Sequence, residues 1–225
     1  MKKIEKLMSE IPMDIDAVMI TSDINRRYFS GMKSSDGVIL AFHEKAYLII
    51  DFRYIEKARE VVADCDVILQ SRLSDQLQNF CKEHNVKKIA VEADTVTISA
   101  LDEYKKILPK VEFDTKILSE KIKKMRIIKT PEEILKIKSA QKIAENAFDN
   151  VLNFINVGKT EKEIAFALDS FMLQNGAEAL SFDTIALAGK NTSLPHGVPS
   201  DKKVQNGDFV LMDFGAVFDG YHRFI

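Results

Sequence analysis

The 225-residue chain is 46% apolar, ample for a packed core, and 29% charged, the usual share for a globular protein. Its 32 basic and 34 acidic residues are dispersed, giving a formal charge of −2 and no basic stripe, which removes the electrostatic case for a nucleic-acid partner. The apolar runs, such as Ala46 to Ile50, are far short of the roughly 20 residues a bilayer crossing needs, so no membrane partner is expected.

The amino-terminal MKKIEKLMSEIPM is charged throughout and lacks the apolar stretch of a secretory signal. Cys65 and Cys81 have no CxxC spacing and read as isolated thiols of a cytoplasmic protein, not as a disulfide or metal pair. From Ala17 to about Phe113 strand-like and helix-like runs alternate. AVMI (17–20), GVILAF (37–42), AYLII (46–50), DVILQ (66–70) and KIAVE (88–92) are the predicted strands. His43-Glu44-Lys45 reads as a hairpin loop, making the second and third antiparallel. Tyr54–Val62, Asp75–His84 and Ala100–Leu108 have the spacing of amphipathic helices, so the expected class is α/β, with helices packed on a mixed sheet.

A basic stretch, EKIKKMRIIK (120–129), leads into a legible helix start. Thr130 can cap, Pro131 suits the first helical position, and Glu133 completes a capping box. Ile137, Ala140, Ala144, Phe148, Val151 and Ile155 mark one face of a helix expected to run to Gly158. Thr160 and Glu163 form a second box; Ile164, Leu168, Phe171 and Met172 give the buried face, and Asn175-Gly176 the stop. These helices place a domain boundary near residue 125, dividing the chain into 1–124 and 125–225. Beyond them FDTIALAG (182–189) and DFVLMDFG (208–215) read as strands around a loop rich in Gly, Asn, Ser and Pro.

Two residues are candidates for chemistry. Asp213 closes the apolar run FVLM, and a carboxylate held at a strand end is a good ligand for a hard cation; as a lone turn residue it would merely accept nearby backbone N–H groups. His196 lies in LPHG, between a stiffening proline and a glycine that leaves room. An imidazole there can shuttle a proton or hydrogen-bond an intermediate, or simply be solvated. His43, His84 and His222 read as surface residues. Asp213-Phe214-Gly215 matches the magnesium tripeptide of protein kinases, but the glycine-rich loop, strand lysine and His-Arg-Asp loop that would accompany it are missing. Gly189-Lys190 fails as a phosphate loop, because Thr184 stands in place of the first glycine and Asn191 in place of the Ser/Thr.

Taken together, SFDTIALAGKNTSLPHGVPSDKKVQNGDFVLMDFGAVFDGY resembles the start of the catalytic region of the Xaa-Pro aminopeptidase/prolidase/creatinase family, the M24 metallopeptidases of pita-bread fold. The matching pieces are Ala-Gly-x-Asn, Leu-Pro-His-Gly, Pro-Ser-Asp, Gly-Asp, Asp-Phe-Gly-Ala and Asp-Gly-Tyr, in that order. MRIIKTPEEILKIKSAQKIAENAF is similar to the family's linker and first catalytic helix. TSDINRRYFSGMKSSDGVIL and YLIIDFRYIEKA are similar to its N-terminal domain. The resemblance implies a creatinase/prolidase N-terminal domain followed by the first half of a pita-bread α+β catalytic domain. It implies hydrolysis of peptide bonds before proline, proline-containing peptides as substrates, and a homodimer. By the same resemblance Asp213 is the first metal-ligand aspartate and His196 the histidine that contacts substrate. Two divalent ions (manganese, cobalt or zinc) would be held by two aspartates, one histidine and two glutamates, and would activate a bridging water.

The second aspartate is expected eleven positions after the first, where this chain has Phe224, preceded by Arg223. The remaining histidine and glutamates would fall after Ile225. With one ligand of five, the chain is expected to be catalytically silent, as a reading-frame slip would leave it, and to bind no metal pair stably. Its uncovered apolar faces are expected to make it self-associate. The alternative is a non-catalytic module that keeps the N-terminal domain for dimerisation or for binding peptides or proteins.

Overall fold

In the computed structural model, which describes residues 2–225, three consecutive strands send alternate side chains to two separate cores. They are β1 (Ala17–Ile20), β2 (Val38–Phe42) and β3 (Ala46–Ile50), and every residue in them is buried. Val18, Ile20, Ile39, Ala41, Leu48 and Ile50 enter one core; Met19, Leu40, Tyr47 and Ile49 enter the other. This is the two-residue period of a strand covered on both faces, which is why these runs read as continuously apolar. β4 (Asp66–Leu69), β5 (Lys88–Val91) and β6 (Glu112–Asp114) complete a six-stranded sheet in the order β4-β3-β2-β1-β5-β6. β2 runs antiparallel to both neighbours and the other pairings are parallel.

The first core is roofed by Leu7 of α1 (Lys3–Ser9), Phe29 of α2 (Asp23–Ser30), Ala58 of α3 (Ile55–Val61) and Ile122 of α6 (Leu118–Ile127). The second is roofed by Leu77 and Cys81 of α4 (Leu73–Glu83) and by half-buried Leu101 and Tyr104 of α5 (Ile98–Ile107). α1, α2 and α6 were not predicted as helices. The 120–129 stretch is largely α6, because Leu118, Ile122 and Met125 fall at helical spacing and are buried beneath the lysines. α2 starts on Ser22, whose hydroxyl accepts from Asn25 N, and stops at left-handed Gly31. Beside it Arg26, 1% exposed, donates to Ser34 Oγ and to the carbonyls of Thr21, Gly37 and Ser34, and pairs with Asp23.

Residues up to Ile128 form one compact unit and Lys129–Ile225 a second. In the second, α7 (Pro131–Leu152) and α8 (Glu161–Gln174) each begin in the expected capping box. The Thr130 hydroxyl accepts from Glu133 N at 3.3 Å while the Glu133 carboxylate accepts from Thr130 N at 2.8 Å. α7 stops at Leu152 instead of running to Gly158, with Asn153 turning back on Asn150 and Val151. Its buried stripe includes Ala140, Ala144 and Val151 as expected and adds Ile143 and Ala147, whereas Ile137, Phe148 and Ile155 are half-buried.

The strands are β7 (Ala179–Leu180), β8 (Ile185–Ala188), β9 (Val210–Asp213), β10 (Gly215–Phe218) and β11 (Tyr221–Phe224). β8 and β9 form an antiparallel pair; β10 lies between β11 and β7 in a three-stranded sheet. The expected single strand 208–215 is therefore two strands in different sheets, broken at fully buried Phe214, and the expected strand 182–189 is shorter. Among the described residues no helix is long and apolar enough to cross a membrane.

Candidate active site

The β8–β9 pair fixes what Asp213 and His196 share. Ile185 pairs with Asp213 and Leu187 with Leu211, so these four side chains lie on one face; Ala186, Ala188, Val210 and Met212 lie on the other, packed into the core with α8. Asp213 stands half-buried at the strand end and its carboxylate has no hydrogen bond or ion pair among the described residues. The chain leaves β8 at Ala188, makes a short 3-10 turn over Gly189–Ser193, and returns across the Asp213 face. The contact that places the return is Gly197. A Cβ there would lie 2.6 Å from Leu187 Cδ1 and 3.2 Å from Leu194 Cβ, so glycine lets the LPHG turn sit on the Leu187 side chain without displacing it. Leu187 is two residues along the ladder from the Asp213 pair, a distance of about 7 Å at strand rise. His196 is exposed on this turn. The turn that carries His196 is thus seated, through Gly197, on the sheet face that ends in Asp213.

Both ends of the 189–200 loop are tied to one carboxylate. Glu161, at the first position of α8 and wholly inaccessible to solvent, accepts from Ala188 N (2.8 Å), Asn191 Nδ2 (2.9 Å), Ser200 N (3.0 Å) and Ser200 Oγ (2.6 Å). Burial raises its pKa, but the donors from Ser200, Ala188 and Asn191 outweigh that and hold the carboxyl below its ordinary 4.5. The return segment docks on the same helix start: Glu161 N donates to Lys202 O, Lys162 N to Ser200 O, and Lys202 Nζ to Ala188 O. Glu161 was not singled out in the sequence, where Glu163 accounted for the cap. The available signal was its spacing, since Glu161 falls on the stripe of Ile164, Ala165 and Leu168.

Position 224 lies on the neighbouring strand. Phe214 and Ile225 exchange both backbone hydrogen bonds (3.1 and 2.9 Å), and Gly215 faces Phe224 so closely that a Cβ would lie 2.8 Å from Phe224 Cβ. In that register 213 and 224 fall on the same face as diagonal neighbours, with Cβ atoms about 7 Å apart. An acidic residue at 224 would stand beside Asp213. Phenylalanine stands there instead, 60% exposed, its ring edge-on to Phe182 with centroids 6.1 Å apart.

Residues 1–128 match the creatinase/prolidase N-terminal domain, and residues 135–225 match metallopeptidase family M24. The chain belongs to the creatinase/prolidase family of M24 metallopeptidases. It is 36% identical to an uncharacterized peptidase of Bacillus subtilis over 97% of its length, and 34% identical to a Xaa-Pro dipeptidase of Pyrococcus furiosus over 99%. Among solved structures it is similar to a Xaa-Pro dipeptidase from Bacillus anthracis (36% identity, 99% of the chain, TM-score 0.92). It is similar also to an X-Pro aminopeptidase from Thermotoga maritima (34%, 100%, 0.92). The chain spans 62% of the length of both curated relatives and 62–63% of these two structures. The family and the fold, a creatinase-type mixed-sheet unit followed by part of a pita-bread domain, are those the resemblance implied.

For an M24 chain the metal set is thin. Among the described residues no group of three or more His, Cys, Asp or Glu side chains could hold a metal ion. Asp213 alone does not fit a dinuclear site, and Phe224 offers no ligand atom. The remaining histidines lie elsewhere: His43 Nε2 is 3.0 Å from Ile15 O, and His222 is exposed on β11. His84 departs from the surface expectation. Half-buried, it stacks on Phe42 (3.8 Å, 13°) and is 3.2 Å from Tyr47 Oη. Burial pushes the Cys65 and Cys81 thiols up to about 12 and about 11, so neither is a nucleophile near neutral pH.

Proposed function

We propose that this chain supplies the substrate-contacting histidine, His196, and the first metal-ligand carboxylate, Asp213, of a peptidase site that cleaves the bond preceding proline in peptides. The observation that carries the reading is the bare carboxylate of Asp213 on the sheet face covered by the LPHG turn. His196 can donate to or accept from a substrate oxygen there. Asp213, an acceptor with no partner of its own, suits a cation. The names of the relatives, Xaa-Pro dipeptidase and aminopeptidase, support the choice of substrate class. Residues 1–225 by themselves carry one of the five ligands implied and are proposed neither to retain two ions nor to turn over peptide.

The test is a chimera that follows residue 223 with the corresponding remainder of the Bacillus anthracis dipeptidase, so that an aspartate occupies position 224. We expect metal-dependent hydrolysis of Xaa-Pro dipeptides, reduced at least about 10²-fold by Asp213→Asn and by His196→Ala. An active chimera indifferent to both substitutions, or two tightly held ions and proline-directed turnover by the 225-residue chain itself, would refute the assignment. A second reading, a non-catalytic dimerisation or peptide-binding module, is favoured by the two complete cores of the amino-terminal unit. It predicts a dimer or a peptide complex without cleavage.

A further inference from the structure

We propose that Glu161 is the positioning residue for His196: its carboxylate closes the 189–200 loop on itself and so holds the LPHG turn over the Asp213 face. The role of His196 rests on the function proposed above; the clamp itself does not. The loop is twelve residues long and its histidine makes no hydrogen bond among the described residues, so the turn that carries it is placed by the loop's ends, by the local bonds Leu194 N to Asn191 O and Gly197 N to Leu194 O, and by Gly197 against Leu187. Glu161 joins those ends. One oxygen, Oε1, takes Ala188 N and Asn191 Nδ2 at the outgoing end; the other, Oε2, takes Ser200 N and Ser200 Oγ at the returning end.

The donor set selects a carboxylate. All three nitrogens can only donate, and a deprotonated carboxylate can only accept. Glutamine cannot reproduce this without turning its own NH₂ toward a backbone or side-chain N–H. Because Glu161 is the first residue of α8, with Ile164 and Leu168 buried on the same stripe, its backbone is fixed by the helix. The loop is therefore referenced to the helix core and not to solvent. Neighbouring charged residues do not supply these acceptors: Asp201 is exposed and pairs with Lys162, and Lys202, which adds a second tie to the outgoing end through Ala188 O and lies beside Asp208, can only donate.

The experiment uses the 225-residue chain and three forms of residue 161: wild type, Glu161→Gln and Glu161→Asp. Hydrogen–deuterium exchange is followed over 189–200 and, as an internal reference, over the buried 140–151 stretch of α7. The His196 amide ¹⁵N heteronuclear NOE reads order at the turn itself. We expect Glu161→Gln to accelerate exchange in 189–200 at least about tenfold and to lower the His196 NOE. The 140–151 stretch should stay unchanged, and Glu161→Asp, which keeps two acceptor oxygens, should recover part of the protection. Unchanged exchange in 189–200, or an equal rise in both segments, would overturn the proposal, the latter because Glu161 would then merely hold the fold. Neither readout needs peptide hydrolysis, so loss of the peptidase reading and loss of the clamp are separate outcomes.

Discussion

Phe224→Asp tests the geometric claim that 213 and 224 converge. The ring removed is 60% exposed and lies edge-on to Phe182, itself 36% exposed, so this ring pairing is worth about 0.5 kcal/mol. Two carboxylates at diagonal positions roughly 7 Å apart repel by about 2.4 kcal/mol at an effective dielectric of about 20, which screening at physiological ionic strength reduces to about 1 kcal/mol. Without metal, then, the variant should be about 1–2 kcal/mol less stable than the parent, a fall of a few degrees in melting temperature. Two carboxylates with no third protein ligand make a weak hard-cation site, with a dissociation constant on the order of 1 mM. At about 10 mM Mn²⁺ such a site returns RT ln 11, roughly 1.4 kcal/mol, and nearly cancels the loss. Differential scanning fluorimetry with and without Mn²⁺ reads both numbers, with Asp213→Asn/Phe224→Asp as the control that should lose the response. If the parent responds to Mn²⁺ as strongly as the variant, or if the variant does not respond at all, the two positions do not face one ion and the register argument is wrong.

Arg26→Ala should cost about 3–5 kcal/mol in urea denaturation followed by exchange of β1–β3 amides, because it strips the buried carbonyl contacts of Gly37 and Ser34 and the partly buried one of Thr21 of a donor; a loss under 1 kcal/mol would contradict the cage. Cys65 and Cys81 should resist alkylation at pH 7.5 until the chain is denatured, as mass spectrometry of iodoacetamide-treated protein would show. The depressed Glu161 carboxyl contributes stability that is present above about pH 4.5 and lost as pH falls through its lower folded value. Asp169, raised by burial despite its bond to Thr184, contributes with the opposite sign, its share present below its ordinary 3.8 and lost as pH rises. Acid unfolding curves of the second unit should accordingly flatten in Glu161→Gln and steepen in Asp169→Asn.

Periodicity and caps exposed much of this fold because they are local. The hairpin at His43–Lys45, the Thr130 and Thr160 capping boxes, and the continuous apolar runs of β1, β2 and β3 all fall within a few residues of their cause. α6 stayed hidden for a physical reason: its three buried apolar residues, set among four lysines and arginines, read as charge, though at i, i+4 and i+7 they bury one face. The break at Phe214 was hidden too, since a continuous apolar run does not say which sheet each half joins. At the candidate site, Asp213 and His196 stand out in the sequence through the motifs that carry them. Glu161 was not, because a carboxylate's work is set by the donors that converge on it, and Ser200 lies 39 residues away in sequence.

The carboxylates of the second unit sort by what the fold gives them. Glu133 is buried and receives Tyr221 Oη at 2.8 Å and Thr130 N at 2.8 Å; Glu161 receives four donors; Asp213 receives none. Among the described residues no buried side-chain nitrogen or oxygen lacks a partner, so this fold satisfies the polar groups it encloses. A half-buried acid left bare at a strand end is then not doing structural work, and stability measurements can say so. Glu133→Gln removes a charge that two donors are built around and should cost about 1–3 kcal/mol, whereas Asp213→Asn should change stability by no more than about 0.5 kcal/mol in either direction. The contrast is the point, because both residues are acidic, incompletely exposed and anchored in regular structure. Were Asp213→Asn to destabilise as much as Glu133→Gln, the carboxylate would be holding the fold together, and its place as a ligand would lose its physical basis.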